Sequence, residues 1–254
     1  MTTNPPDNGR CLPANVRPID YGARLRAGVI VPSGNTVAEP EIAAMLPPGV
    51  RANITRLPLT GSRPEEIAAM TAGAGAAVRL LADARPELIA FHCTAATTTT
   101  KRKRDELERA LSENAVCPTL TTGDALLAAF ARLEMRRVVL VTPYTAEVHR
   151  HEEEFLADHD IKVIGGGYVG LETNTEMSQL SLAELYEFAL EQRTTGADGY
   201  LYSCTAIRTA PIIDALEDAL GAPVITSNQA ISWHLLRSGQ IDDQVDGYGA
   251  LLRL

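Results

Sequence analysis

The chain has 254 residues, enough for one large domain or two domains of about 100 residues each. Apolar residues make up 45%, as a globular core requires, and a formal charge of −9 argues against a nucleic-acid-binding surface. No run of about 18 apolar residues occurs, so no transmembrane helix and no membrane partner are expected.

Residues 1–17 are polar and proline-rich and lack the apolar core of a signal peptide. They are expected to form a loose tail or an arm, on a cytoplasmic protein whose thiols stay reduced. From there on, β-rich runs alternate with helical patterns. Expected strands cover 27–32, 52–57, 88–93 and 119–121, then 137–142, 162–164, 199–204 and 224–226. These runs are apolar throughout or nearly so, as parallel strands covered on both faces must be. Expected helices cover 37–46, 64–84, 101–114 and 124–133, then 146–159, 182–194, 210–220 and 229–237. The second of these opens with Ser62 as candidate N-cap, Pro64 in the first turn, and Glu65 and Glu66 near the positive end of the dipole. The basic run Lys101-Arg102-Lys103-Arg104 meets Asp105-Glu106 and reads as the start of a solvated helix.

Strand–helix alternation implies right-handed βαβ units. The expected class is α/β: two pseudo-symmetric doubly wound domains, each with a parallel four-stranded sheet, and an active site in the cleft between them. Residues 1–22 form the tail, 23–121 plus 228–254 the first domain, and 122–227 the second. The last piece, 247–254, is expected to pack on the first domain.

The chain repeats itself. Phe91-His92-Cys93-Thr94-Ala95 recurs as Tyr202-Ser203-Cys204-Thr205-Ala206, and both cysteines follow a strand-ending proline, Pro32 or Pro143, by 61 positions. Downstream, Pro118-Thr119-Leu120-Thr121-Thr122 is echoed by Pro223-Val224-Ile225-Thr226-Ser227. A doubled fold explains the apolar runs and the prolines; it does not demand a cysteine at the same step of each copy. Open α/β sheets bind ligands beyond the carboxyl ends of their strands. Four motifs fall there: Ser33-Gly34-Asn35-Thr36, Cys93-Thr94-Ala95, Tyr144-Thr145 and Cys204-Thr205-Ala206. A thiol among free N–H groups at a helix start is expected to have a lowered pKa, and its thiolate can take a C–H proton or add to an activated alkene. The same N–H groups, with the Thr94 and Thr205 hydroxyls, would hold a substrate carboxylate.

Other motifs carry less. Gly165 to Gly170 fits G-x-G-x-x-G by letter, but no helix pattern follows, so it reads as a flexible strand-to-loop connection. His149 and His151 stand two apart in a Glu-rich helix and read as exposed, so no metal site is expected. His92 reads as packing, turned away from Cys93 by strand alternation. Cys117 reads as a buried structural thiol, and Cys11 lies in the tail.

The segment Pro32-Ser33-Gly34-Asn35-Thr36-Val37-Ala38-Glu39-Pro40-Glu41 and the two cysteines resemble the aspartate/glutamate racemase superfamily, nearest its maleate cis-trans isomerase and arylmalonate decarboxylase branch. The resemblance runs from about residue 25 to residue 236. It implies that Cys93 and Cys204 are the catalytic thiols and that Asn35, Tyr144 and Asn174 contact substrate carboxylates, with Ser33, Thr94, Ala95, Thr205 and Ala206 completing the binding site. It also implies no cofactor and a homo-oligomer, expected as a dimer. The decarboxylases lack the first cysteine, which Cys93 supplies here. The Thr-Ala after each cysteine resembles the amino-acid racemases instead. The expected function is a two-cysteine isomerase of a small (di)carboxylate. A racemase or epimerase, then a decarboxylase, then a non-catalytic ligand-binding protein, stand as alternatives.

Overall fold

The computed structural model describes residues 19–254; Cys11 and most of the expected tail lie outside the described residues. The first half runs β1 (Leu25–Pro32), α1 (Ala38–Met45), β2 (Val50–Leu57), α2 (Pro64–Ala72), α3 (Ala74–Ala82), β3 (Leu88–Phe91), α4 (Thr94–Thr97), α5 (Lys101–Ser112), β4 (Thr119–Thr121) and α6 (Thr122–Arg132). The second runs β5 (Arg137–Thr142), α7 (Ala146–Ala157), β6 (Lys162–Tyr168), α8 (Asn174–Gln179), α9 (Leu182–Glu191), β7 (Gly199–Tyr202), α10 (Ile213–Leu220), β8 (Val224–Thr226) and α11 (Ser227–Ser238). They build two four-stranded sheets, ordered β2-β1-β3-β4 and β6-β5-β7-β8, with every pairing parallel.

The apolar runs of β1, β3, β5 and β7 arise because these inner strands are covered on both faces, whereas the edge strands β2, β4 and β6 are partly exposed. In β1, Val29 and Val31 face a central core while Ile30 faces an outer one. In β5, Val138 and Leu140 face the same central core while Val139 and Val141 face the second half's outer core. The central core joins both sheets through α1, α6 and α11. Matching capping boxes start the two long inner helices: Thr121 with Asp124 for α6, and Thr226 with Gln229 for α11.

Strand order reverses between β1 and β3, and again between β5 and β7, so each sheet has a crevice at that point. Register sets the height of the turns that leave it. Ile30 pairs with Phe91 and its carbonyl takes the N–H of His92 at 2.8 Å. Val141 pairs with Tyr202 and its carbonyl takes the N–H of Ser203 at 2.8 Å. The two copies therefore present their cysteine turns in the same way.

Several local expectations give way. The expected helix over 64–84 breaks at Gly73, where a side chain would strike Leu57, and Ser62 bonds to Glu172 across the cleft instead of capping it. The strands before the cysteines stop at Phe91 and Tyr202, so both thiols lie two residues past a strand. Residues 210–212 form a 3₁₀ turn before α10, and 251–253 form another whose Leu251 and Leu252 enter the central core. The basic run does open α5, with Lys101–Asp105 and Arg102–Glu106 ion pairs on its exposed side. Among the described residues no helix is long and apolar enough to cross a membrane.

The glycine run is the clearest correction: Gly165, Gly166 and Gly167 are part of edge strand β6, not a loop. The pairing of β5 with β6 slips between Val138 and Val139, the mark of a bulge. Gly166 sits beside the slip at φ +132, where a Cβ would lie 1.9 Å from the Leu140 carbonyl oxygen. Gly166→Ala is expected to lower the unfolding free energy by about 2–4 kcal/mol, read from urea denaturation. An unchanged midpoint would refute this account of the run.

Candidate active site

The turns after β1, β3, β5 and β7 converge. Cys93 is the N-cap residue of α4, and Cys204 occupies the equivalent turn after β7. Both thiols are buried, as are Asn35, Thr94, Tyr144, Thr205 and Ala206; Ala95 is half-buried and packs against the second half's core. Ser227 ties the copies together: its Oγ accepts from Thr94 Oγ1 at 2.8 Å and from the Cys204 N–H at 3.1 Å.

Asn35 crosses the cleft. Its Nδ2 donates to the Thr205 carbonyl and to Thr205 Oγ1, each at 2.9 Å, while its Oδ1 accepts the N–H groups of Val37 and Ala38 at 2.9 Å. Asn174 opens α8 behind the Thr173–Glu176 capping box, and its Nδ2 donates to the Leu59 carbonyl at 3.2 Å. Space at Gly34 is tight, since a Cβ would lie 3.1 Å from the Leu59 carbonyl and 3.2 Å from Asn174 Nδ2. Met177, one turn into α8, lies 3.8 Å from the Cys204 sulfur. Ser33 stands apart: it is exposed, and its Oγ accepts the Leu59 N–H at 3.1 Å.

The connections after β2 and β6 meet over the cleft. Gly61 bridges Thr173, Ser62 N–H donates to the Glu172 carbonyl at 3.0 Å, and Asn174 N–H donates to the Thr60 carbonyl at 2.9 Å. The closed cleft decides the electrostatics. Burial pushes Cys93 up to about 11, against the pull of the Ala96 N–H. Burial pushes Cys204 up to about 12, against Tyr144 and the Ala206 N–H, with Cys93 and Glu152 adding to the rise. The expected lowering of the thiol pKa does not hold in this closed form. Helix α4 is one turn long and offers Cys93 a single N–H, too little to offset lost hydration. Tyr144 is also raised well above its ordinary value, first by burial and then by Cys204.

The histidines divide. His92 is fully buried, with Nδ1 at 3.0 Å from Thr122 Oγ1 and Nε2 at 2.8 Å from Asn228 Oδ1. Asn228 Nδ2 donates to Glu41, so its Oδ1 is free to accept, and Nε2 of His92 carries the hydrogen. Burial drives this ring down to about 4, so it is neutral and structural. His149, expected at the surface, is buried instead, with Nδ1 at 2.9 Å from Thr142 Oγ1. Cys117 is half-buried rather than buried, at the rim of the first half's outer core. Among the described residues no group of three or more His, Cys, Asp or Glu could hold a metal.

Three contributors escaped the sequence reading. Ser227 was visible only as the last letter of an echoed strand end, where Thr122 stands in the first copy. Asn228, the next residue, joins His92, Glu41 and the Thr205 carbonyl. Glu152 looked like part of a solvated Glu run, yet it is fully buried and accepts from Ser203 Oγ at 2.5 Å. Its spacing from Val148 and Phe155, four and three residues, is the signal that turns it inward.

A family model described as arylmalonate decarboxylase matches residues 27–252. The maleate isomerase of Nocardia farcinica is 28% identical over 243 residues, covering 90% of this chain and 95% of the relative. A solved structure from that organism is maleate cis-trans isomerase as a cysteine-to-serine mutant with a covalently bound succinylcysteine intermediate. It matches with a TM-score of 0.83 at 24% identity, over 90% of this chain and 98% of that one. A liganded double mutant of arylmalonate decarboxylase matches with a TM-score of 0.82 at 26% identity, over 89% and 98%.

With both sulfurs pushed up, thiolate is scarce near neutrality. At pH 8, iodoacetamide is expected to label Cys93 on the order of 100-fold, and Cys204 on the order of 1,000-fold, more slowly than a free cysteine. Peptide mass spectrometry over a time course reads this, and labelling at the free-cysteine rate would show that the closed cleft does not govern them.

Proposed function

Because this chain belongs to the arylmalonate decarboxylase family, we propose that it is a two-cysteine cis-trans isomerase that converts maleate to fumarate. One observation carries the reading: each half contributes one buried thiol from an equivalent turn, and Ser227 links the two turns. The 28% identity to a maleate isomerase over most of both chains supports the substrate. The succinylcysteine of the Nocardia structure supports a covalent route.

In this mechanism the cleft opens to admit the dicarboxylate, and entering water relieves the desolvation that holds the thiols protonated. Cys93, as thiolate, adds to C2 of the alkene. Cys204 delivers its proton to C3, leaving a succinyl thioether on Cys93 and a thiolate on Cys204. The C2–C3 bond is now single and rotates. Cys204 then removes the C3 proton, the carbon–sulfur bond breaks, and fumarate leaves with the Cys93 thiolate restored. Asn35, Tyr144 and Asn174 hold the carboxylates, with the Thr94 and Thr205 hydroxyls and the N–H groups of Ala95 and Ala206 beside them. Donors aimed at the carboxylates stabilise the charge that builds up during addition. Asn35 can turn its two N–H donors to a carboxylate only by releasing Thr205, which couples binding to movement of the second turn.

Decarboxylation is the related alternative, and the presence of both thiols weighs against it. Racemisation would use the same two sulfurs across one stereocentre. The same reading makes the protein a cytoplasmic, cofactor-free homodimer; elution as a monomer in size-exclusion chromatography would remove the dimer.

Incubation in deuterated water with maleate, aspartate, glutamate and an arylmalonate separates these chemistries. Fumarate from maleate is the expected product. Deuterium at an amino-acid α-carbon, or carbon dioxide from the arylmalonate, would favour a rival. Cys93→Ala and Cys204→Ala are each expected to reduce kcat by about 1,000-fold or more, and full activity in both would end the two-thiol mechanism.

A further inference from the structure

The duplication carries a second pair of chemical groups. Glu152 follows Glu41 by 111 positions, the same offset that separates Cys204 from Cys93. The pair sits on α1 and α7, the helices after the first strand of each half, and both side chains are buried. Each reaches the residue that precedes a thiol. Glu152 Oε1 accepts directly from Ser203 Oγ. Glu41 Oε2 accepts from Asn228 Nδ2 at 2.7 Å, and Asn228 in turn accepts from His92. Burial is the main cause that pushes both carboxyls up to about 7.

Their partners differ. Glu41 Oε1 also accepts the Ala210 N–H at 2.9 Å, so both its oxygens are satisfied. Glu152 Oε2 is buried without a hydrogen-bond partner. An ionised carboxylate in that position would be a buried charge with one donor and no counter-charge, an unfavourable state. The titratable groups that bear on Glu152 are Tyr144, from the turn after β5, and Cys204, from the turn after β7. Both are acids, and charge on Glu152 raises each of them. His149, one turn back on α7, directs its ring to Thr142 and Glu153. A cluster of three acids in a dry site holds one negative charge far more readily than two.

We propose that Glu152 is a positioning residue that must be protonated for Cys204 to transfer its proton. The proposal rests on the two-thiol reading above. When Cys204 gives its proton to substrate carbon it becomes a thiolate. A neutral Glu152 held by Ser203 tolerates that charge; a carboxylate repels it and also opposes entry of an anionic substrate. Glu41 reaches Cys93 only through Asn228 and His92, so the two thiols are unequal, and Cys204 is the one built to keep and return a proton.

The test is the pH dependence of kcat/KM for maleate in wild type, Glu152→Gln, Glu152→Ala and Ser203→Ala, with melting temperatures over the same range. Cys93 must lose a proton while Glu152 keeps one, so wild-type kcat/KM is expected to stop rising near the Glu152 pKa and to fall about tenfold per pH unit on an alkaline limb once Cys93 is ionised. Glu152→Gln, a permanently neutral stand-in, should move that limb up by about one pH unit or more, and Glu152→Ala should be far less active than the Gln variant. Ser203→Ala removes the one donor that favours ionisation and should also move the limb upward, by a smaller step. Protein stability gives a readout that needs no substrate. A carboxyl whose folded pKa is raised makes the native state less stable as pH climbs from about 4.5 to about 7, so the melting temperature of Glu152→Gln relative to wild type should rise over that window. An alkaline limb at the same pH in all four proteins overturns the proposal, and so does a flat melting difference. If no form turns over maleate while the melting difference rises, the two-thiol reading is at fault and the neutral carboxyl stands.

Discussion

The hydrogen bonds of Asn35 hold the site in its observed shape. One amide uses both donors on Thr205 in the opposite half and both acceptor positions on its own turn. Nothing in that arrangement is free, so any ligand group that needs Asn35 must displace a partner inside the protein. The Thr205 carbonyl it grips is shared with Asn228, which also holds His92 and Glu41. A single contact across the cleft thus anchors a buried polar network running behind both cysteine turns. Such networks stabilise a structure only when nearly every member is satisfied. The unpartnered oxygen of Glu152 is the conspicuous exception, on the carboxyl that holds Ser203, the residue before Cys204.

Desolvation, rather than the helix start, sets the resting state of the sulfurs. A turn of helix and one N–H cannot hold a thiolate in a site from which water is excluded. The proposed addition of sulfur therefore requires the cleft to open and close. The backbone contacts of residues 60–62 with 172–174 are the part of that closure made without side-chain chemistry, so they are compatible with many side chains at the cleft mouth.

Much of this was legible in the chain. The inner strands announced themselves because both their faces are buried, and the repeat of proline and cysteine at equal spacing put one thiol on each half. Tyr144, Asn35 and Asn174 followed from resemblance, and the structure brings the turns that bear them to the same cleft. Less legible were features that depend on contacts distant in sequence. Ser227 and Asn228 matter because α11 returns from the second sheet to lie between the halves, which no local pattern states. Glu152 was hidden among glutamates that do face solvent; only its spacing from Val148 and Phe155 separates it from them. Ser33 belongs to the Ser33-Gly34-Asn35-Thr36 motif, but its side chain turns to the β2 connection. The sulfur protonation states could not be read locally at all, because they follow from closure of the cleft.

The constant offset between the halves has a consequence for symmetry. Two identical half-chains meeting about a twofold axis would give each sulfur the same neighbours. Joined in one polypeptide, the copies are released from that equality. His92 stands where the other copy has Ser203, and Glu41 is fully satisfied where Glu152 is not. An alkene that takes sulfur on one carbon and hydrogen on the other is an unsymmetrical demand. Covalent fusion lets a symmetric scaffold meet it while leaving the strand register that aims the two turns unchanged.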